Sequence, residues 1–259
     1  RAVDIPGVTA EVFRPNALIL EINSKSGLYP LYAAYSIYQS RLRAHKEQHP
    51  DEVTDDGTAR QLWDETLRQN ILVLCKTPMA VSITRRTLAG FRPADVNARD
   101  YPNLIQELID KPAHVADTLR CTQNFWHLNN PLMKIDAVIG NPPYQLTVAK
   151  KETDNGQKAV INIFQLFQEL VDQLPPHYSS LIYPGGRWIH RSGKGLADFG
   201  LKQINDAHLS KLIFYANAGS LFDDAAIADG LSIVLKDYQK TKAGFSYIYG
   251  ANQEIQLAP

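Results

Sequence analysis

Apolar residues along this chain fall into two alternating patterns. Short, mostly apolar runs at Ala17 to Ile22, Ile71 to Cys75, Ile135 to Ile139, Ser179 to Tyr183, Leu209 to Tyr215 and Leu231 to Lys236 predict buried strands. A weaker run near Asp95 to Ala98 makes seven, and Phe245 to Tyr249 reads as a further edge strand. Between the runs, apolar residues return every three or four positions. This predicts helices over Leu28 to His45, Ala59 to Gln69, Pro78 to Ala89, Asn103 to Lys111, Ala159 to Gln173 and Leu196 to Asp206. Strands alternating with helices imply an α/β fold around a mostly parallel sheet. Leu231 to Lys236 is reached through a long loop, Ala216 to Gly230, with no helix of crossover length, so this last strand should run antiparallel.

Local signals sharpen some of these elements. Thr77 is a good N-cap, Pro78 a good first helical residue and Gly90 a good stop. The helix from Leu28 carries Leu28, Tyr32, Tyr35 and Tyr38 at roughly helical spacing, and Pro30 is tolerable because it lies in the first turn. In the Ala159 to Gln173 helix the apolar face is Ile163, Leu166, Phe167, Leu170 and Leu174. His45 to Thr58 and Lys150 to Lys158 are polar excursions, and Pro112 to Asn130 has no clear pattern.

Composition adds mostly exclusions. The 259 residues carry 27 basic and 27 acidic side chains, so no global field draws in a polyanion. Cys75 and Cys121 lie far apart without a CxxC pairing or clustered His, which excludes a zinc site and suits a reducing, cytoplasmic compartment. No run approaches membrane-spanning length. Residues 1–259 are read as one catalytic domain. Because the chain opens on Arg1, it is also read as part of a longer protein, without a recognition domain of its own.

Ile135 to Tyr144, IDAVIGNPPY, carries the chemistry. A buried strand ends at Gly140, and Asn141-Pro142-Pro143-Tyr144 leaves its C-terminal end, where ligands sit in open α/β sheets. Two prolines stiffen the turn and remove two donors while keeping their carbonyls. Asn141 Oδ1 and the Pro142 carbonyl are placed to accept both hydrogens of an exocyclic amine, with Tyr144 to stack on the ring that bears it. Upstream, the loop Asn23 to Gly27 joins a strand to a helix, the geometry that brings backbone N–H groups to a ligand.

The tetrapeptide resembles the catalytic motif of amino-methyltransferases that use S-adenosylmethionine, above all the N6-adenine DNA methyltransferases. Seven strands with an antiparallel last one, and NPPY after the fourth, are similar to the class I, Rossmann-like methyltransferase fold. The motif order resembles the gamma class, and within it the Eco57I-type restriction–modification methylases. The resemblance implies a double-stranded DNA substrate with a flipped adenine. It also implies a target-recognition domain or restriction and helicase segments in the same parent protein, and the absence of any membrane or metal.

It further implies roles. Asn141, Pro142, Pro143 and Tyr144 would be catalytic. Glu21, Ser24 and Gly27 fall on the cofactor motif, Asp100 on the contact to the cofactor adenine, and Ile163 and Phe164 on the apolar pair beside it. Phe222, within Phe222-Asp223-Asp224-Ala225, stands where a loop aromatic meets the target base; its other reading is a core anchor. Arg187, Arg191 and Lys194, interleaved with Trp188 and His190, either grip phosphates or form a solvated loop. The chain also departs from the pattern. Lys25 stands at the expected first glycine, and Cys75-Lys76-Thr77-Pro78 replaces an acidic turn that binds the ribose. On that reading S-adenosylmethionine binds poorly and Cys75→Asp tightens it. The competing readings are a degenerate methyltransferase domain serving DNA binding or assembly, and a methyltransferase acting on protein glutamine or RNA guanine.

Overall fold

The computed structural model describes residues 7–128, 134–148, 159–191, 195–222, 227, 229–250 and 254–258. The chain forms two compact units, Arg1–Glu107 with Ala113–Gly140, and Leu108–Pro112 with Asn141–Pro259.

The first unit begins with one helical turn, α1 (Thr9–Val12), and strand β1 (Ile19–Ser24). Helices α2 (Leu28–Gln48) and α3 (Asp56–Asn70) lead to β2 (Ile71–Cys75), then α4 (Pro78–Ala89) and β3 (Asn97–Asp100). Two short helices, α5 (Leu104–Asp110) and α6 (Pro112–Arg120), and a wide helical turn at Thr122–Trp126 precede β4 (Ala137–Gly140). The four strands pair parallel in the order β4-β1-β2-β3. β1 and β2 are buried throughout, as strands covered on both faces are, although β1 carries Glu21, Asn23 and Ser24 among its apolar residues. At the start of β4, Asp136 Oδ2 accepts from the Leu18 N–H at 2.8 Å and Oδ1 from Arg14 at 2.6 Å, which fixes its register beside β1.

α4 has the limits its sequence signals predict. Thr77 Oγ1 accepts from the Ala80 N–H, and Gly90 ends the helix at φ +65°. α2 turns a different face inward from the one its tyrosines suggest. Pro30, Ala33, Ala34 and Ile37 are buried, whereas Leu28, Tyr32 and Tyr35 are 64, 47 and 54 % exposed. Small side chains allow this helix to lie close to the sheet, and that close packing decides the face.

The second unit begins with a hairpin that the sequence reading does not contain. β5 (Gln145–Val148) pairs antiparallel with β6 (Ala159–Asn162), so Ala159 to Asn162 is strand rather than the first turn of a helix. Helix α7 (Phe164–Gln173) follows, then β7 (Tyr178–Pro184), α8 (Ala197–Ile204), β8 (Leu209–Tyr215), β9 (Leu231–Asp237), β10 (Phe245–Tyr249) and β11 (Glu254–Leu257). Their sheet order is β7-β9-β8-β10-β11. β9 is antiparallel to both neighbours, as its missing crossover predicts. β10 runs parallel to β8, and the edge falls to β11 rather than to β10. Among the described residues no helix is long and apolar enough to cross a membrane.

Candidate active site

In the first unit, the polar residues singled out by sequence gather at the C-terminal ends of parallel strands. Ser24 of β1, Cys75 of β2 and Asp100 of β3 lie in lateral register. The β1–β2 register slips by one residue around Asn23, which adopts φ +65°. A bulge of this kind re-aims the chain as it leaves the sheet. The loop then turns into α2 through Gly27, at φ +78°.

Helix α4 holds this loop from one side. Ser24 Oγ accepts from the Gly27 N–H at 3.2 Å and shares a hydrogen bond with Thr84 Oγ1 at 3.3 Å, while Thr87 Oγ1 donates to the Ser26 carbonyl at 2.6 Å. A Cβ on Gly27 would stand 3.1 Å from Thr84 Cα, so glycine is needed for close approach as well as for its positive φ. Sequence reading missed both threonines. Their only signal was their one-turn spacing on a helix already well predicted. Lys25 lies exposed on the loop.

Glu21 is the most unusual group here. It sits in the middle of β1 and is 3 % exposed, and Oε2 is buried without a hydrogen-bond partner. Burial pushes its carboxyl up to about 7, against a smaller downward pull from Ser24. A buried acceptor left unmatched destabilises the fold. Its presence fits a ligand that brings a donor, such as the hydroxyls or ammonium of S-adenosylmethionine.

The Cys75 side chain is fully buried, with Sγ 3.8 Å from Thr84 Oγ1, and burial raises its thiol to about 11. It packs inside the unit at the end of β2. Cys75→Asp would therefore bury a carboxylate, at a cost in stability that the expected gain in cofactor binding must offset. The exposed positions at this strand end are Lys76 and Thr77. Asp100 closes β3 and is half-buried.

β4 ends at Gly140 for a steric reason. A Cβ there would lie 2.6 Å from the Ile22 carbonyl oxygen and 2.8 Å from Ile22 Cγ1. The chain then continues directly into Asn141-Pro142-Pro143-Tyr144, the start of the second unit. Pro142 is buried, and Asn141, Pro143 and Tyr144 are half-buried. The β5–β6 hairpin departs from Tyr144 and returns to Ile163, whose N–H donates to the Tyr144 carbonyl at 3.0 Å. That bond braces the turn from the second unit's own backbone.

The remaining predicted residues separate. Ile163 and Phe164 are essentially without exposure, and Phe164 packs 5.2 Å from Tyr183 and 5.5 Å from Phe199. Phe164 is therefore a member of an aromatic core and has no free ring face for a cofactor adenine. Trp188, read as part of a basic loop, belongs to the same core and donates Nε1–H to Ser232 Oγ at 2.9 Å. Arg187 is ion-paired to Asp229 at 2.6 Å, whereas Arg191 is exposed. Phe222 is half-buried just beyond the short turn Ala218–Ser220. Lys194 and Asp223 to Ala225 lie outside the described residues. Among the described residues no group of His, Cys, Asp and Glu could hold a metal ion.

Comparison with known proteins gives these elements a setting. An "uncharacterized adenine-specific methylase" of Mycoplasma pneumoniae is 40 % identical over 67 residues, which are 26 % of this chain and 15 % of that protein. The fold is similar to a chain from a type I restriction–modification assembly (TM-score 0.56, 11 % identity, 95 % of this chain and 43 % of that one). It is also similar to the M protein of the type I restriction enzyme EcoKI (0.51, 12 %, 95 % and 48 %). A third likeness is to the type ISP enzyme LlaBIII, solved bound to DNA (0.54, 11 %, 92 % and 18 %). The fold is therefore that of a class I methyltransferase, and the chain spans less than half the length of these relatives. The sequence model of the Eco57I restriction-modification methylases matches residues 69–222, more than half of the chain and including Asn141 to Tyr144, and the chain belongs to that family.

Proposed function

We propose that this chain is the catalytic portion of a DNA methyltransferase of a restriction–modification system, modifying N6 of an adenine flipped out of duplex DNA. The observation that carries the reading is the stiff Asn141–Tyr144 turn. It starts at a parallel strand end where only glycine fits and is braced by Ile163. S-adenosylmethionine, when bound, supplies an electrophilic methyl group. Glu21, Ser24 and the Gly27 loop are the residues to hold it, because Glu21 offers a buried, unmatched acceptor.

The chain's own chemistry is positioning. Asn141 Oδ1 and the Pro142 carbonyl accept the two N6 hydrogens, drawing the nitrogen towards pyramidal geometry and making its lone pair nucleophilic. Positive charge grows on that nitrogen during transfer, so fixed acceptors favour the transition state over the ground state. The Tyr144 ring stacks on the adenine. No base of raised pKa is required until the proton leaves the product.

A degenerate, non-enzymatic domain is the second reading, favoured by Lys25 on the cofactor loop and by Cys75, which leaves no carboxylate at the end of β2. In the full-length protein, Asn141→Ala should lower methyl transfer to duplex DNA by about a hundredfold or more, with an unchanged melting curve. Wild-type turnover in that variant would overturn the assignment. Calorimetry with S-adenosylmethionine tests the cofactor side, where Glu21→Gln should weaken binding.

A further inference from the structure

The outer edge of the first unit holds arginines that methyl transfer does not use. Three adjoining grooves of about 460, 530 and 590 Å³ run along α3, α4 and β3. Arg60 and Arg68 line the first along α3, Arg68, Arg85 and Arg99 the next, and Arg85, Arg86 and Arg99 the last. The shared residues make the grooves one track. Nearby acids only partly offset it. Asp64 is engaged by both Nη atoms of Arg92 at 2.8 and 2.9 Å and Glu65 by Arg41 at 3.5 Å, leaving Asp95 and Asp100 on the walls.

The centre of the track is a pair of like charges. Arg85 Nη2 donates to the Ala98 carbonyl at 3.1 Å, which holds its guanidinium beside the strand that carries Arg99. Arg99 Nε is buried without a hydrogen-bond partner, and burial followed by repulsion from Arg85 lowers its pKa. Two guanidinium groups that line the same grooves and lie near enough to repel each other suit the oxygens of a phosphate, which would offset that repulsion. Beyond Gly90, which lines the same groove, Phe91 is 92 % exposed, and Arg86 sits 5.7 Å over its ring. An exposed ring braced by a cation beside a basic track is a stacking platform for a base. The chain carries no net charge, so any attraction to a polyanion must be local in this way.

We propose that this edge, which reaches the candidate cofactor end only at Asp100, is a nucleic-acid-binding surface on which Arg85 and Arg99 hold a backbone phosphate and Phe91 stacks on a neighbouring base. The repetition of arginines along three grooves fits a run of phosphodiesters better than one free anion.

The test is fluorescence anisotropy of a labelled oligonucleotide of arbitrary sequence with the chain, over about 50 to 200 mM salt. Arg85→Gln/Arg99→Gln should weaken binding roughly tenfold at the low end and lower the salt slope by about one to two. Phe91→Ala should weaken binding of a single strand about fivefold or more. Arg43→Gln, exposed on α2, should change neither. Arg85 is exposed, so Arg85→Gln alone carries the test if the double variant is unfolded. Unchanged affinity and slope would overturn the proposal. So would displacement by inorganic phosphate as effective as by unlabelled DNA at matched ionic strength, since that marks a free-anion site. The assay needs neither S-adenosylmethionine nor turnover, so its failure and that of the methyl-transfer reading remain distinguishable.

Discussion

Glu21 in β1 and Lys236 in β9 are both removed from water, the one 3 % and the other 0 % exposed, yet the two units treat them in opposite ways. Lys236 Nζ donates to Asp172 at 3.0 and 3.3 Å and to Asp206 at 2.7 Å. Asp172 also accepts from Tyr238 at 2.8 Å and from Gln168 at 2.7 Å, and Tyr183 closes the network onto Gln168. Burial would push Asp206 up, but Lys236 and the His208 N–H hold it below the usual carboxylate range. Glu21 feels only a smaller downward pull from Ser24, and its Oε2 has no hydrogen-bond partner. A buried charge with every donor matched specifies the packing of a core, whereas one left open fits a site that a ligand completes.

Breaking the closed network should have the largest effect. Lys236→Ala leaves two carboxylates facing each other without their cation, and should cost about 3–5 kcal/mol in urea unfolding. A loss below about 1 kcal/mol would mean that the network is no firmer than a surface pair.

Glu21 gives the opposite signature. Its folded value of about 7 lies above the ordinary 4.5, so its contribution to stability is complete below pH 4.5. Between pH 4.5 and about 7 the unfolded chain ionises first, and stability falls by about 3 kcal/mol as pH rises. Thermal melts across that range should show the decline in the wild type and a flatter profile in Glu21→Gln. Parallel profiles would show that Glu21 is not the group responsible.

Gly140→Ala tests the join between β4 and the Asn141 turn. The forced shift at Ile22 should cost about 1–3 kcal/mol and reduce methyl transfer by the full-length protein. Normal stability and turnover together would show that the strand end yields easily. The smallest effect belongs to Thr84→Val, which removes the hydroxyl linking Ser24 and Cys75. It should cost about 1 kcal/mol in denaturant midpoint, and weaker S-adenosylmethionine binding would tie that hydroxyl to the cofactor loop.

The sequence by itself determined much of the first unit. β2 and β4 are continuous apolar runs, β1 is a mostly apolar one, and α4 has a cap, a first-turn proline and a terminal glycine, so local chemistry was enough to place them. The NPPY turn was legible from its residues, whereas Glu21 stood out only through the family resemblance. Tertiary structure decided what local pattern left degenerate. Ala159 to Asn162 became strand because Gln145 to Val148 pairs with it, a partner that sequence periodicity does not reveal. α2 buried its alanines instead of its tyrosines because the distance to the sheet, not hydrophobicity, chose the face. Phe164, Cys75 and Trp188 were drawn into cores, since apolar and aromatic side chains carry the same sequence signal whether they meet a ligand or each other. The matching of Lys236 and the isolation of Glu21 depend on residues tens of positions away, and only the folded chain brings those together or keeps them apart.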